Sequence, residues 1–205
     1  MLTLKEGEKL IKIARTELDD YFKNQEIEKW DISGFNKKLG VFVSLHSYPD
    51  KKLRGCIGFP IAQMPLWESV REAAKAAAFE DPRFLPLTKA ELDKIIIEIS
   101  VLTKPQMIET SENHKDRGKR HETILHEIEI GQDGLIIEYS GYSGLLLPQV
   151  AIENNWDTEH FLQQSCIKAG VSPKTWKNPS CKLYKFQAQI FSEKTPKGEI
   201  TEIKL

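Results

Sequence analysis

The sequence of 205 residues predicts an α+β protein whose sheet is mainly antiparallel and flanked by helices. Helical and strand periodicities are intermingled along the chain, adjacent strand patterns are joined by hairpin turns, and long crossovers between strands are scarce. A content of 40% hydrophobic and 29% charged residues is that of a globular protein large enough to bury a sizeable core.

The first predicted element is an amphipathic helix over residues 4–23. Thr3 and Glu6 form a capping box, and apolar residues then recur at helical spacing: Leu4, Leu10, Ile11, Ala14, Leu18, Tyr21 and Phe22. A hairpin is predicted over 39–59, because two segments of alternating polarity flank the turn-forming run 47–51.

Side-chain parity and a loop over 47–51 predict the register of this hairpin. The predicted pairs are Phe42 with Cys56, Ser44 with Arg54, and His46 with Lys52. Ser44, His46, Arg54 and Cys56 would therefore share the face away from the core. His46 and Cys56 would lie about 13 Å apart along the strands, which argues against a direct Cys-His dyad.

The later elements follow from the same signals. Pro65 opens an alanine-rich helix, Thr88 with Glu91 caps a short helix, and Asp157 caps a late one. Residues 109–122 carry both charge signs and almost no apolar residue, so we expect an exposed loop there. The remaining predictions are strands at 94–102, 124–130, 134–139, 145–147 and 181–191, and helices at 148–154 and 158–169.

Charge and cysteine content narrow the function classes. A formal charge of -1 and a pI near 6.5 argue against a general attraction to nucleic acid, although the last third leans basic through Lys168, Lys174, Lys177, Lys182 and Lys185. We expect neither a signal peptide nor a membrane span. The chain has 3 cysteines, whose wide spacing fits no disulfide framework or zinc ribbon, so a reducing cytoplasm is the expected location.

The most informative stretch is residues 53–58, which places Arg54 and Cys56 on one strand face beside Gly55 and Gly58. A nearby cation lowers a thiol pKa and makes the nucleophilic thiolate more accessible. In the alternative interpretation, Cys56 is a small buried apolar residue and Arg54 pairs with a carboxylate. The glycines either admit a ligand close to the backbone or mark a bulge.

Further candidates lie in a proline-flanked turn and on the strand at 94–102. Arg83 can clamp an anion through its planar guanidinium, or it can pair with Asp81 and brace the turn. Glu98 and Ser100 protrude from one strand face. There the carboxylate is either an acid or base in a cleft or a solvated, salt-bridged group.

Nothing in the sequence predicts a metal site or identifies a cofactor. His121 and His126 miss the i, i+4 spacing of a helical zinc site. Gly141 and Gly144 match neither a Walker loop nor a full dinucleotide fingerprint, so we expect a tight turn there.

Together these motifs resemble those of the AMMECR domain proteins. The resemblance rests on LRGCIG at 53–58, on Ala77 with DPRF at 81–84, on EISVL at 98–102, and on GLLLPQVA at 144–151, which includes Gln149. It covers roughly residues 39–191. The segment 109–122 matches no family motif and looks like a local insertion.

The resemblance implies a cytoplasmic α+β protein that forms a single domain over 1–205, with two unequal lobes and a cleft between them. The larger lobe, about 1–60 and 123–205, would hold both termini, and the smaller lobe would span about 61–122. Bacterial and archaeal relatives resemble the A component of the AmmeMemoRadiSam system, which implies a Memo-like protein and a radical SAM protein as partners. No reaction can be carried over from the family.

The favoured hypothesis is the binding of a small anionic ligand or a protein partner at the cleft lined by LRGCIG, because a convincing nucleophile–base pair is missing. Its ligand-binding residues would be Arg54, Gly55, Gly58, Asp81, Arg83, Ser100 and Gln149. The alternative is an enzyme or catalytic subunit with Cys56 as a thiolate and Glu98 in proton transfer. A third hypothesis is a nucleic-acid-associated regulator that acts through the basic C-terminal third.

Overall fold

A computed structural model gives the structure of the protein and describes residues 1–23, 34–61, 63–109 and 117–204. The described helices are α1 (Leu4–Lys23), α2 (Leu66–Phe79), α3 (Arg117–Glu127), α4 (Pro148–Glu153) and α5 (Thr158–Lys168). The described strands are β1 (Gly40–Ser47), β2 (Leu53–Phe59), β3 (Ile95–Leu102), β4 (Gln106–Met107), β5 (Asp133–Tyr139), β6 (Tyr142–Leu146), β7 (Lys182–Glu193) and β8 (Ile200–Ile203).

The α+β class and the antiparallel sheet are confirmed. The pairings β1–β2, β1–β3, β4–β7, β5–β6, β5–β7 and β7–β8 are all antiparallel. β4 and β8 were not predicted, because segments of two and four residues are too short to show alternation. Among the described residues, no helix combines the length and the apolar character that a membrane crossing needs.

Contacts divide the chain into two compact units. The first unit comprises Met1–Leu102 and Gln189–Lys204, and the second comprises Thr103–Ala188. The lobes and cleft implied by the family resemblance stay a prediction.

The first unit is built around the strand order β2-β1-β3. α1 begins at the predicted capping box, in which the Thr3 N–H donates to Glu6 Oε2 at 2.7 Å, and its apolar stripe is buried. α2 lies on the core face of the strands. The shared core consists of Leu10, Ile11, Ala14, Leu18, Val41, Val43, Leu45, Val70, Ala73, Ala74, Ala77, Ile97, Ile99 and Phe191.

In the second unit α4 packs on β5 and α5 packs on β5 and β6, and the buried Trp176 is the unit's largest core side chain. Its other core residues include Ile124, Leu135, Ile137, Ala151, Phe161, Leu162, Cys166 and Leu183. Asp157 caps α5 as predicted, since its side chain accepts a hydrogen bond from the His160 N–H at 2.7 Å.

The loop expected at 109–122 and the strand expected at 124–130 are wrong where they overlap α3; residues 110–116 lie outside the described residues. Arg120, Ile124 and Ile128 are buried at a spacing of four residues, which is helical periodicity. The buried Arg120 donates to the carbonyl oxygens of Trp176 at 3.0 Å and Cys181 at 3.3 Å. A charged residue on the core side of the helix concealed the pattern.

Candidate functional site

The hairpin of β1 and β2 places the LRGCIG motif on the end strand of the sheet. Ser44 lies opposite Cys56 and Phe42 opposite Gly58, so the predicted register is wrong by two residues. The turn accounts for one residue, because the Ser47 N–H closes it by donating to the Lys52 carbonyl at 2.8 Å. A bulge that leaves Arg54 without a cross-strand partner accounts for the other.

A shift of two residues preserves the face on which each side chain lies. Ser44 is the cross-strand partner of Cys56 on β2 and also of Glu98 on β3. A thiol, a hydroxyl and a carboxylate therefore form a row across three adjacent strands, which we call the thiol row (Cys56, Ser44, Glu98). Within it, Ser44 Oγ donates to Cys56 Sγ at 3.1 Å.

The surroundings of Cys56 oppose ionisation of its thiol. Burial raises the pKa of Cys56, and the hydrogen bond from Ser44 and the positive charge of Arg83 offset this only in part. The cation that acts on the thiol is thus Arg83, whereas the sequence pointed to Arg54. Asp81 and Glu98 also raise the pKa of Cys56 through their negative charges.

Asp81 and Arg83 together satisfy the main chain of Cys56. The Cys56 N–H donates to Asp81 Oδ2 at 2.8 Å, and the Cys56 carbonyl accepts from Arg83 Nη2 at 3.2 Å. Both main-chain groups point away from β1, toward the side on which β2 pairs with no other described strand. This arrangement protects the open edge of the sheet at its central residue.

The Asp81–Arg83 pair is a two-pronged ion pair. Arg83 Nε donates to Asp81 Oδ1 at 2.9 Å and Arg83 Nη2 to Oδ2 at 2.7 Å. The hydrogen bonds from Arg83, followed by the one from the Cys56 N–H, hold the pKa of Asp81 well below its usual range. The Asp81 side chain is 2% exposed and that of Arg83 is 54% exposed. One edge of the Arg83 guanidinium therefore lies at the surface.

Arg54 forms an ion pair with a different carboxylate, that of Glu91. Its Nε donates to Glu91 Oε1 at 2.8 Å and its Nη2 to Glu91 Oε2 at 3.3 Å. Arg54 lowers the pKa of Glu91 to about 2, with help from hydrogen bonds donated by Thr88. The alternative interpretation, in which Arg54 pairs with a carboxylate, therefore describes this residue. The sequence predicted Glu91 only as a capping residue. Its position shortly after the DPRF motif was the signal that could have pointed to it as the partner of Arg54.

Phe84 connects the two arginines. Its ring centroid lies 5.9 Å from the Cζ of Arg54 and 5.5 Å from that of Arg83, which is within cation–π range. The aromatic residue of DPRF therefore contacts both guanidinium groups and helps to fix their orientation.

The two motif glycines make room for the protein's own atoms. A Cβ at Gly55 would lie 2.0 Å from the Ala77 carbonyl oxygen, so Gly55 allows α2 to approach β2 closely. A Cβ at Gly58 would lie 2.4 Å from the Phe42 ring. Their predicted role as ligand contacts stays a prediction.

His46 lies closer to Cys56 along the strands than the sequence predicted, because Cys56 is paired with Ser44. It is two positions from Ser44 on β1, roughly 7 Å, and its Nε2 is 4.0 Å from Glu98 Oε1. Burial lowers the pKa of His46, which favours the neutral imidazole. His46 Nε2 is buried and has no hydrogen-bond partner among the described residues.

The remaining predicted residues are dispersed. Ser100 is buried opposite Phe42, two residue pairs along the strands from the thiol row. Gln149 lies on α4 in the second unit, where its buried Oε1 has no hydrogen-bond partner among the described residues. Two lysines of the basic C-terminal third are paired, Lys177 with Glu159 at 2.9 Å and Lys185 with Glu127 at 3.1 Å. No cluster of three or more His, Cys, Asp or Glu residues in the described part of the chain could hold a metal ion.

Comparison with known proteins gives consistent matches. The AMMECR1 family model matches residues 11–191. Protein MJ0810 of Methanocaldococcus jannaschii is 47% identical over 207 residues, with 100% of this chain and 98% of that protein covered. A protein of Methanococcus aeolicus is 42% identical, with 99% and 98% covered. The crystal structure of uncharacterized protein PH0010 from Pyrococcus horikoshii shares the fold, with a TM-score of 0.86, 43% identity and 97% of each chain covered.

Proposed function

This chain belongs to the AMMECR1 family, and we propose that it is a binding module that holds an oxyanion, a carboxylate or a phosphate group, at Arg83. The observation that carries the proposal is the geometry of this residue. Asp81 and the Cys56 carbonyl fix the Nε and Nη2 side of the guanidinium, while more than half of the side chain remains exposed.

The free side of Arg83 has the donors that an oxyanion needs. Nη1 makes no hydrogen bond within the described residues, so its two N–H groups can donate outward. Asp81 neutralises the positive charge of Arg83. Binding of the oxyanion would therefore depend on directed hydrogen bonds more than on long-range attraction. The fixed guanidinium loses little conformational entropy on binding, which favours recognition of a small group.

The test is a titration of the full chain with inorganic phosphate and, separately, with citrate, followed by the NMR signals of the arginine side chains. We expect a saturable shift of the Arg83 signal. Arg83→Gln should weaken binding by about tenfold to a hundredfold, the effect of losing one charge-assisted contact. Lys89→Gln is the matched control, because Lys89 is exposed in the same unit and its substitution also removes one positive charge.

Arg83→Lys separates charge from geometry. It keeps the positive charge and loses the planar fork, so we expect affinity close to that of Arg83→Gln. Equal phosphate binding by wild type and Arg83→Gln would refute the proposal.

A protein partner is the second source of such an oxyanion. Leu85 is 84% exposed and Leu53 is 39% exposed, and they directly follow Phe84 and precede Arg54 in the chain. Apolar residues beside an arginine are typical of protein interfaces. Co-purification from the native host, with mass spectrometry of retained proteins and small molecules, would compare wild type with Arg83→Gln and Cys56→Ser. The Memo-like and radical SAM proteins are the partners that we propose, in a reducing cytoplasm.

The thiol row favours a second candidate function, catalysis by Cys56. Ser44 Oγ already donates to the thiol sulfur, and Glu98 lies across the strand from Ser44. In this candidate Ser44 and Glu98 would stabilise or relay the proton of Cys56. The raised pKa of the thiol weighs against it, and for this reason we rank binding first.

A further inference from the structure

The outer edge of β2 has an open main-chain position beside the proposed oxyanion site, on which the present inference rests. The N–H and carbonyl of Cys56 point away from β1, toward Asp81 and Arg83. Main-chain groups two residues apart on a strand point to the same side, so those of Gly58 also point away from β1. Among the described residues, none forms a hydrogen bond with Gly58 on that side.

An unpaired strand edge is a template for an added strand. Asp81 and Arg83 already occupy the edge at Cys56, so an added strand can pair at Gly58 and must end before it passes Cys56. The two residues lie about 7 Å apart along β2. A strand that pairs with Gly58 and runs antiparallel to β2 therefore brings its end to Arg83 within its next one or two residues.

The group that ends such a strand is a carboxylate, and Arg83 is suited to hold it. A planar guanidinium donates parallel hydrogen bonds to the two oxygens of a carboxylate. The hydrogen bonds of Arg83 to Asp81 and Cys56 use Nε and Nη2, which leaves the Nη1 side for a ligand. Leu85, two residues further along the chain, is exposed and offers an apolar contact.

We propose that this edge binds the C-terminal end of a protein partner. The partner's last residues add to β2 as a short antiparallel strand that pairs with the main chain of Gly58. Its terminal carboxylate accepts hydrogen bonds from Arg83, and an apolar last side chain packs on Leu85. Charge complementarity selects a free C-terminus, because the strand has to stop at a guanidinium.

The experiment is an NMR titration of the full chain with the peptide acetyl-Ala-Ala-Val-Leu, which has a free C-terminal carboxylate. We expect saturable shifts of both the Gly58 amide and the Arg83 side-chain signals. The same peptide with a C-terminal amide should bind at least about tenfold more weakly, because it lacks the charge-assisted contact. Inorganic phosphate should shift the Arg83 signal alone and compete with the acid peptide.

Changes in the peptide test the strand pairing without altering the fold of the protein. Methylation of the backbone nitrogen of either residue before the last is made in turn. One of these two peptides loses the donor to the Gly58 carbonyl and should bind about tenfold more weakly. Equal binding by both methylated peptides and the parent peptide would show that no strand is added to β2.

Two leucine variants test the apolar contact. Leu85→Ser should weaken binding of the acid peptide by about threefold to tenfold and leave phosphate binding unchanged. Leu4→Ser, which changes another exposed leucine of the same unit, should alter neither.

Equal affinity of the acid and amide peptides, or a shift of Arg83 without one of Gly58, would overturn the inference. Phosphate binding at Arg83 would then still support the oxyanion site. A failure of phosphate to bind would refute both proposals.

Discussion

Opposing influences act on the thiol of Cys56. The hydroxyl of Ser44 and the cation of Arg83 favour the thiolate, while burial and the carboxylates of Asp81 and Glu98 disfavour it. Burial is the largest of these effects, and it leaves the pKa above the ordinary value of 9.0. A thiol of this kind is mostly protonated at neutral pH, which limits its nucleophilicity.

We predict that Cys56 reacts slowly with iodoacetamide. The rate measured by peptide mass mapping should rise with pH through a midpoint above 9.0, the ordinary thiol value, because the pKa is raised. Ser44→Ala removes the hydrogen bond to the sulfur and should move the midpoint still higher. Mapping separates this thiol from Cys166 and Cys181, which are buried. A midpoint below about pH 8 would instead support the catalytic candidate.

Close packing of α2 against β2 depends on small residues on both elements. Ala73, Ala74, Ala77 and Ala78 are buried on α2, and Gly55 lies on the strand beneath them. The helix comes so close that a main-chain oxygen occupies the place of a side chain. The alanine-rich pattern predicted that this helix packs closely against a neighbour. It did not predict that Gly55 is the glycine at that contact.

We predict that Gly55→Ala destabilises the protein by at least about 3 kcal/mol, since a Cβ there overlaps a backbone atom. Urea unfolding followed by tryptophan fluorescence measures this. Ala77→Gly should not rescue the variant, because the overlapping atom is the carbonyl oxygen of residue 77.

Gly7→Ala offers the matched contrast. Its Cβ would meet the Phe191 ring, and Phe191→Leu should recover part of the lost stability. Rescue of Gly55→Ala by Ala77→Gly would show that the close approach has been misassigned.

The carboxylates that hold the arginines also make the stability of the protein depend on pH. Arg54 lowers the pKa of Glu91 from 4.5 to about 2, and the pKa of Asp81 is lowered by Arg83. A carboxyl group with a lower pKa in the folded state stabilises that state above its unfolded pKa. This stabilisation is lost as the pH falls through the folded pKa.

We therefore predict that acidification narrows the stability difference between wild type and Glu91→Gln. At neutral pH the wild type should be more stable, because the variant leaves Arg54 without its carboxylate. The difference should shrink between pH 4.5 and about 2, as Glu91 becomes protonated in wild type. Urea unfolding at a series of pH values measures it, with exposed Glu80→Gln as the control. A difference that is constant with pH would show that the ion pair does not form.

Short-range patterns in the sequence predicted the helices and strands in which apolar residues are buried and polar residues are exposed. The capping box at Thr3, the alternation on β1 and β2, and the Asp157 cap of α5 each depend on residues a few positions apart. Parity also placed Ser44 and Cys56 on one face, despite the wrong register. These signals are local because helix and strand periodicities report only which side of an element is buried.

The tertiary structure alone decided which groups meet. The partnership of Arg54 with Glu91, the contact of Asp81 and Arg83 with the Cys56 main chain, and the burial of Arg120 on α3 join residues distant in sequence. The turn at 47–52 and the bulge at Arg54 each shifted the register by one residue, and together they placed Cys56 opposite Ser44 without changing the polarity pattern. Periodicity in the sequence does not show which residues of different elements contact each other in the fold. The sequence by itself therefore determined the fold class and family motifs, and packing determined the chemistry around Cys56.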